Sequence, residues 1–415
     1  MLEELELSNF RLFGEKVNIR FRPITIFIGE NNAGKSSVIK FLMMLKQSIG
    51  SVGSGFLVTN GSEVSLGRNF YGLKNINSKK RNLDFSLKVG EHGSPSSRVL
   101  EYLKERDLYS PEKKRFATYQ ATVTYNKKNQ FLGKDHKIIF SAGKKEITNQ
   151  KEKITPNSSF MLFESTQAPS GNEQTNTPLE NFCIENLQYS LGELKYLSAM
   201  REELQGTIST DEISRKYVGK KGEKAIFELW QEELLTDKEK EQFLLMHTKK
   251  VLDIENISFK EVGRLAACDA VNCKTKARVN IGDFGFGVSQ CMPIFIQGML
   301  MPPGTQLIVE QPEAQVHPTA QIEMGSFFVD LWKKYRVGSI VETHSDNILL
   351  RIRNCIAREE ISPNDVSIAY FTMRKKNPVV KNLDVYGNGI MQEGLPMEFF
   401  GGNLKELLDM GMQDE

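Results

Sequence analysis

Hydrophobic positions near the start of the chain alternate twice and then run without a break. The alternation at residues 2–7 and 17–21 predicts two strands, and the apolar, β-branched run at 24–28 predicts a strand buried on both faces. From residue 36 to 48, apolar side chains recur at helical spacing, which predicts an amphipathic helix. The pattern therefore predicts two strands, a buried strand and a helix, in that order, for the opening segment.

A second series of alternating strands and helices lies late in the chain. Apolar runs at 305–310 and 337–342 predict two more buried strands, and helical spacing at 319–335 predicts the helix between them. Ser345 stands where it can cap a following helix, and a further helix opens at residues 285–290. Strands that alternate with helices indicate an α/β fold with a mixed β-sheet.

The middle of the chain follows a different pattern. Strand-like alternation at 82–89, 117–125 and 137–140 gives way to a polar stretch at 165–181, which predicts a mobile loop or linker. Residues 191–252 are helical in pattern and rich in charge, but no heptad repeat persists, so no long coiled coil is expected. We interpret this region as a β-then-α insertion that interrupts the two halves of the α/β core.

Four segments follow from these patterns. They are 1–67, the N-terminal part of the core; 68–255, the basic insertion; 256–365, the C-terminal part of the core; and 366–415, a small C-terminal domain. A chain of 415 residues is long enough for two to three domains.

No apolar run reaches the roughly 18 residues of a membrane span, and the acidic N-terminus is unlike a signal sequence. Together with an odd number of unpaired cysteines, five, this predicts a cytoplasmic location without a membrane partner.

The net charge of +2 conceals an uneven distribution. Residues 68–160 contain 20 Lys and Arg against 9 Asp and Glu, so the rest of the chain is acidic. Phosphate contacts by these cations and base stacking on interspersed aromatic residues would suit nucleic acid. Alternatively, lysines protect the edges of a sheet and the aromatic residues fill a small core. The aromatic residues are Phe70, Tyr71, Tyr102, Tyr109, Phe116, Tyr119 and Tyr125.

The buried strand at 24–28 leads into a phosphate-loop motif, GxxxxGK[ST]. Its glycines let backbone N–H groups turn towards a phosphate, and the following helix adds the positive end of its dipole. Lys35 is expected to reach the β- and γ-phosphates, and Ser36 to place its hydroxyl on Mg²⁺. The predicted nucleotide-binding residues are Gly29, Glu30, Asn31, Asn32, Ala33, Gly34, Lys35, Ser36 and Ser37.

Glu310 ends an apolar strand and is the second element of the predicted Mg²⁺ site. Magnesium keeps several waters and needs few protein oxygens, so one carboxylate and one hydroxyl suffice. The residues thus predict a nucleotide with Mg²⁺, which Ser36 and Glu310 would hold.

Four motifs in order resemble the ABC-type ATPases of the RecF/SMC/OLD branch of AAA family ATPases. They are Gly-Glu-Asn-Asn-Ala-Gly-Lys-Ser-Ser at 29–37, Gly-Phe-Gly-Val-Ser-Gln at 285–290, Glu-Gln-Pro-Glu at 310–313, and Glu-Thr-His-Ser at 342–345. They are similar to Walker A, the ABC signature, Walker B with the D-loop, and the switch histidine. The segments 383–389 and 396–400 resemble the short C-terminal domain of one bacterial subgroup. About seventy residues follow His344 without a spaced acidic triad, so the OLD nuclease domain is not expected.

The resemblance implies a role for several residues outside the phosphate loop. His344 would touch the γ-phosphate, while Gly287, Ser289 and Gln290 would face the nucleotide of a second subunit in a homodimer or higher homo-oligomer. Gln311 stands at the position of the usual catalytic glutamate, and an amide cannot accept a proton from water. Either Glu313 supplies the base, or ATP hydrolysis is slow.

Several functions are compatible with these features. One is an ATP-driven dimeric switch on nucleic acid, in bacterial DNA maintenance or antiphage defence. Another is a slow nucleotide-gated scaffold that controls a separate effector protein, such as a toxin or nuclease. A transporter ATPase is disfavoured because of the large insertion and the lack of a membrane segment.

Overall fold

The structure is a computed structural model of the chain. It describes residues 1–49, 56–67, 72–106, 109, 112, 114–125, 131–143, 145–152, 178–232, 234–375 and 377–391. The described residues form two compact units. Unit 1 takes those within 1–21, 31–194 and 371–381, and unit 2 takes those within 22–30, 195–370 and from 382 onwards.

Unit 1 is built on a six-stranded antiparallel sheet in the order β2-β1-β4-β5-β6-β7. The strands are β1 (Leu2–Ser8), β2 (Val17–Arg20), β4 (Leu83–Gly90), β5 (Arg115–Tyr125), β6 (Phe131–Ala142) and β7 (Lys145–Glu152). Three helices belong to the same unit: α1 (Lys35–Ser48), α2 (Ser97–Glu105) and α3 (Pro178–Gly192). The β-rich part of the predicted insertion therefore continues the sheet that the N-terminal strands begin.

A row of aromatic side chains forms part of the core of unit 1. Phe10 packs on Phe41 of α1 with 5.0 Å between ring centroids, Phe41 on Phe85 of β4 at 5.3 Å, and Phe85 near Tyr119 of β5 at 6.0 Å. All four are buried. The first two pairs are edge-to-face, and such pairs add to the free energy gained from burying the rings. This row ties α1, the helix after the phosphate loop, to the sheet.

Unit 2 contains a sheet in which β15, β3, β14, β13 and β8 are neighbours in that order. The strands are β3 (Ile24–Gly29), β8 (Lys195–Leu197), β13 (Gln306–Glu310), β14 (Gly338–Glu342) and β15 (Val366–Arg374), of which β3, β14, β13 and β8 run parallel. Four of the five β14 residues are apolar or small and all are buried, as expected for a parallel strand covered on both faces. β16 (Asn377–Leu383) follows β15 in the chain.

Helices and a second sheet complete unit 2. The helices are α4 (Ala225–Gln231), α5 (Lys238–Leu252), α6 (Phe286–Leu300), α7 (Pro318–Tyr335) and α8 (Asp346–Ala357). The second sheet has the order β10-β11-β12 with β9 also on β11: β9 (Thr207–Ser209), β10 (Ile254–Val262), β11 (Leu265–Asn272) and β12 (Arg278–Asn280). One hydrophobic core runs through this unit, from β3 to Met391.

The predicted α/β fold is confirmed, and the strands and helices predicted in the two halves of the core and at 82–140 are present. The helical pattern predicted for residues 191–252 was wrong for much of that range. Residues 195–197 and 207–209 are the strands β8 and β9, because they pair with β13 and β11, and helix is confined mainly to α4 and α5. Ser345 caps α8, since its hydroxyl accepts a hydrogen bond from the Ile348 N–H at 3.3 Å. The linker prediction was wrong at its end, because residues 178–181 form the first turn of α3; residues 165–177 lie outside the described part. The four domain boundaries stay predictions, and of the C-terminal segment the structure describes residues up to 391. None of the described helices is both long and apolar enough to cross a membrane.

His247 of α5 is buried among aromatic rings and should make the protein sensitive to acid. Its ring lies 4.6 Å from that of Phe243 and 5.1 Å from that of Phe327, and neither nitrogen has a hydrogen-bond partner among the described residues. The Asp330 carboxylate is 3.6 Å away. Burial, with a smaller effect of Lys250, lowers the pKa of His247 from 6.5 to about 3. The folded state therefore disfavours the protonated imidazole.

Between these two pKa values the unfolded chain binds a proton that the folded chain does not. Stability should then fall as the pH decreases from 6.5 towards 3, by about 2 kcal/mol at pH 5 for this residue. The midpoint temperature of thermal unfolding should decrease between pH 7 and pH 5, and we expect this decrease to be smaller for His247→Leu than for the wild type. His317→Asn is the matched control, because His317 is exposed and Asn also caps a helix. Equal acid sensitivity of wild type and His247→Leu would contradict this expectation.

Candidate nucleotide-binding site

The phosphate loop lies between the end of β3 and the start of α1, as the sequence predicts. It passes from unit 2 into unit 1 between Glu30 and Asn31. Gly29, the last residue of β3, has a φ of 125°, a backbone conformation that favours glycine. Glu30, Asn31 and Asn32 are exposed, so this part of the loop is open to a ligand.

Gly34 fixes the turn into the helix. Its φ of 108° is strained for any other residue, and a Cβ built on it would lie 2.5 Å from the buried ring of Phe13. Its carbonyl accepts hydrogen bonds from the N–H groups of Ser37 and Val38 at 3.0 and 3.2 Å. Lys35 and Ser36 are the first two residues of α1, and their N–H groups belong to the helix end that attracts phosphate.

The carboxyl ends of the parallel strands in unit 2 gather the other predicted residues. β13 ends at Glu310 and its neighbour β14 at Glu342, and these two residues are in register. The Gln311 N–H donates to the carbonyl of Glu342 at 2.7 Å, so the chain after β13 remains at this edge. The edge thus brings Glu310, Gln311 and Glu313 together with His344.

The Glu313 carboxylate binds the segment that carries the predicted switch histidine. One oxygen accepts a hydrogen bond from the Thr343 hydroxyl at 2.8 Å, and the other accepts from the backbone N–H of His344 at 2.7 Å. Burial raises the pKa of Glu313, and these two hydrogen bonds oppose that rise. Glu313 therefore points back to the strand ends and links the segments that follow β13 and β14. The imidazole of His344 itself is exposed.

Gln311 adopts a left-handed backbone conformation, with a φ of 45°. Pro312 follows it, and the Ala314 N–H donates to the carbonyl of Gln311 at 3.1 Å, so the chain turns sharply after β13. The side chain of Gln311 is half-buried. The role of Gln311 in aligning the attacking water stays a prediction, and so does the choice between Glu313 and no residue as the base.

The signature residues divide into an exposed and a buried group. Gly287 is half-exposed at the start of α6, and a Cβ there would meet only the carbonyl of Gln315, at 3.4 Å. In contrast, Ser289 is 7% exposed and its hydroxyl accepts a hydrogen bond from the Leu204 N–H at 3.1 Å. Gln290 is 1% exposed. The predicted contact of these three residues with a second subunit stays a prediction, and Gly287 is the accessible member.

Arg201 is a residue of this site to which the sequence patterns gave no role. It follows β8, is 4% exposed, and donates from Nη2 to the backbone carbonyl of Glu310 at 2.7 Å. Burial lowers its pKa to about 10, with Glu313 and Glu310 among the groups that oppose the shift, so it is a cation at neutral pH. A single arginine just after the short apolar strand at 195–197 was the available signal.

Glu310 meets the requirement for a metal-binding residue. Its Oε1 atom is buried and has no hydrogen-bond partner among the described residues, so this oxygen is left with an unused acceptor. Carboxylate oxygen is a preferred ligand of Mg²⁺, and the residue fits this role. The pairing of Glu310 with Ser36 in one Mg²⁺ site stays a prediction.

In the basic segment, residues 68–160, aromatic rings contact cationic side chains of the same chain or lie in the core. Arg106 lies over Tyr102 at 3.8 Å, Lys88 over Phe116 at 4.4 Å, and Tyr119 is fully buried in the core. These rings are engaged within unit 1. The basic residues 113, 127, 128 and 144, Phe70, Tyr71 and the side chain of Tyr125 lie outside the described part, so the predicted nucleic-acid interface stays a prediction.

A phosphate loop between a buried strand and a helix, with an acidic residue at the end of a parallel strand, defines a P-loop nucleotide-binding protein. The family model of the AAA ATPase domain matches residues 1–349. The chain therefore belongs to the AAA ATPase domain family, and the family predicted from its motifs is confirmed at this level. No curated protein matches the sequence.

Similar solved structures include three heads of SMC proteins. An SMC head bound to the C-winged helix domain of ScpA is 12% identical with a TM-score of 0.48, over 92% of this chain and 97% of that chain. The SMC head domain from Thermotoga maritima is 8% identical with a TM-score of 0.42, over 92% and 99%. The Smc head domain with an extended coiled coil, bound to the C-terminal domain of ScpA derived from Pyrococcus furiosus, is 11% identical with a TM-score of 0.43, over 92% and 96%.

Proposed function

We propose that the chain binds ATP at the phosphate loop and hydrolyses it slowly. The observation that carries the proposal is the loop from Gly29 to Ser37, whose two glycines have positive φ and which opens α1 with Lys35. Membership in the AAA ATPase domain family supports ATP as the nucleotide. Direct titration with ATP and with GTP tests it, and equal or absent binding of both would overturn the choice of ATP.

Bound Mg²⁺ would neutralise charge that develops on the phosphates. Glu310 provides a carboxylate oxygen for this ion, and Lys35 provides a positive charge for the phosphates. Gln311 can align water through its amide but cannot take its proton. Glu313 could take the proton, but both of its oxygens already accept hydrogen bonds from Thr343 and His344. This favours the slow alternative, a nucleotide-gated switch.

We further propose that ATP brings two copies of the chain together through the start of α6. Phe286 is 46% exposed there and Gly287 is half-exposed, although most of the helix is buried. An exposed ring at the start of a buried helix suits a surface that another molecule covers. A second copy is the partner that the predicted signature in trans requires.

Substitution of Gly287 tests this association. Gly287→Arg should bind ATP like wild type but lose ATP-dependent association, because a buried interface cannot accept an unpaired cation. Light scattering with and without ATP measures the effect. Gly387→Arg is the matched control, since a side chain at this exposed glycine also meets open space. ATP-dependent association of Gly287→Arg at the wild-type level would contradict the proposal.

Two kinds of partner are proposed for this switch, a separate effector protein and nucleic acid. Control of a separate effector protein agrees with slow hydrolysis, and co-purification with a protein encoded beside this chain would support it. Action on nucleic acid in DNA maintenance or antiphage defence rests on the basic segment at 68–160. Stimulation of ATP hydrolysis by DNA or RNA would support that alternative instead.

A further inference from the structure

We propose that Arg201 is a positioning residue that couples the end of β13 to the start of α6. This inference deepens the proposed function, because it rests on ATP and Mg²⁺ binding near Glu310. It concerns two elements, both in unit 2, that the chain separates: β13 ends at Glu310 and α6 carries the signature residues.

The first contact of Arg201 is with the strand end. Its Nη2 donates to the carbonyl of Glu310 at 2.7 Å, which is at the short end of the usual range for N–H···O hydrogen bonds. Because the acceptor is the backbone of the predicted metal-binding residue, a shift of Glu310 moves the atom that Arg201 holds. Arg201 is 4% exposed, so water cannot readily replace the lost contact.

The second contact is with the signature helix. Nη1 of Arg201 lies 3.5 Å from the side-chain oxygen of Gln290, and the Gln290 amide donates back to the Arg201 carbonyl at 3.4 Å. Three residues further on, the Leu204 N–H donates to the Ser289 hydroxyl. The segment from Arg201 to Leu204 therefore holds two successive buried side chains of α6.

The charge of Arg201 makes the link sensitive to what binds at the strand end. A buried guanidinium needs compensating negative charge, and its Nε has no hydrogen-bond partner among the described residues. A divalent cation at Glu310 would offset part of the negative charge that stabilises Arg201. A shift of Arg201 would reach the start of α6 directly through Gln290, and through Leu204 to Ser289.

Hydrogen exchange with and without ATP·Mg²⁺ tests this coupling without relying on turnover. In the wild type we expect ATP to slow exchange about tenfold at the phosphate loop, at Leu204 and in the first turns of α6. In Arg201→Met the slowing at the phosphate loop should persist, while that at Leu204 and α6 should be lost. Arg201→Lys keeps the positive charge and should retain part of the slowing of exchange at Leu204 and in α6.

Arg351→Met is the matched control. Arg351 is another arginine of unit 2, half-buried, and it joins α8 to α7 by a 2.8 Å hydrogen bond from Nε to Ser326. The control should keep the full ATP effect at α6. Gln290→Met removes the other end of the link and should reproduce the loss, so the test uses two independent variants.

The outcomes separate the two proposals. If ATP leaves exchange at the wild-type phosphate loop unchanged, the proposed nucleotide-binding function fails. If the loop responds but α6 does not, or if α6 of both Arg201→Met and Gln290→Met responds as in the wild type, the coupling by Arg201 is wrong and ATP binding stands.

Discussion

Lys35→Ala should bind ATP roughly 10- to 150-fold more weakly than the wild type. Lys35 is the first residue of α1 and the only lysine of the phosphate-loop motif, so its ammonium is expected to contact the β- and γ-phosphates. A charge-assisted hydrogen bond contributes about 1.5–3 kcal/mol, which corresponds to that loss of affinity. Titration calorimetry with ATP, with Mg²⁺ present, measures it.

Lys40→Ala is the matched control because Lys40 lies on the same helix, beyond the motif. It should bind ATP as the wild type does. Lys35 is 4% exposed, so its loss could also loosen the fold. Thermal unfolding without nucleotide must therefore show both variants folded at the temperature of the titration. If folded Lys35→Ala bound ATP with wild-type affinity, the phosphate-loop assignment would be wrong.

Gln311→Glu should hydrolyse ATP faster than the wild type by about 10²-fold or more. A general base contributes about 10²–10⁴-fold, and the wild-type amide cannot serve as one. Wild-type turnover should accordingly lie below about 1 s⁻¹, at the low end for enzymes. The new carboxylate would stand directly after Glu310, at the end of β13. Steady-state phosphate release measures both rates.

Gln315→Glu makes the same replacement four residues further on and provides the control. Gln315 also has a left-handed backbone, with a φ of 60°, and its side chain is exposed, so this variant adds the same charge without placing a carboxylate next to Glu310. Its turnover should equal that of the wild type. This separates a base at the site from a general effect of one more negative charge.

Glu313→Gln decides between the two alternatives for the base. If Glu313 takes the proton, this variant should lose turnover and Gln311→Glu should add little to the wild type. If it only holds Thr343 and His344, turnover should change far less than about 10²-fold. Fast wild-type turnover that survives Glu313→Gln would contradict both alternatives.

The parts of the site that depend on neighbours in the chain could be predicted from the amino-acid sequence. An apolar strand, a glycine-rich loop and a helix are each defined by residues within a few positions, so the phosphate loop and α1 followed from pattern alone. The same holds for Glu310 at the end of a buried strand and for Ser345 at the start of α8. Because β3, β13 and β14 run parallel, their carboxyl ends then lie at one edge of the sheet.

The side chains that meet across that edge could not be predicted in this way, because they come from distant parts of the chain. Arg201 reaches Glu310 across 109 positions of sequence, and Glu313 reaches Thr343 across 30. Periodicity assigns a residue to a face of a strand or helix, but it does not name the residue on the facing element. For this reason the patterns left Ser289 and Gln290 grouped with Gly287, whereas packing against residues 201–204 buries the first two and leaves Gly287 accessible.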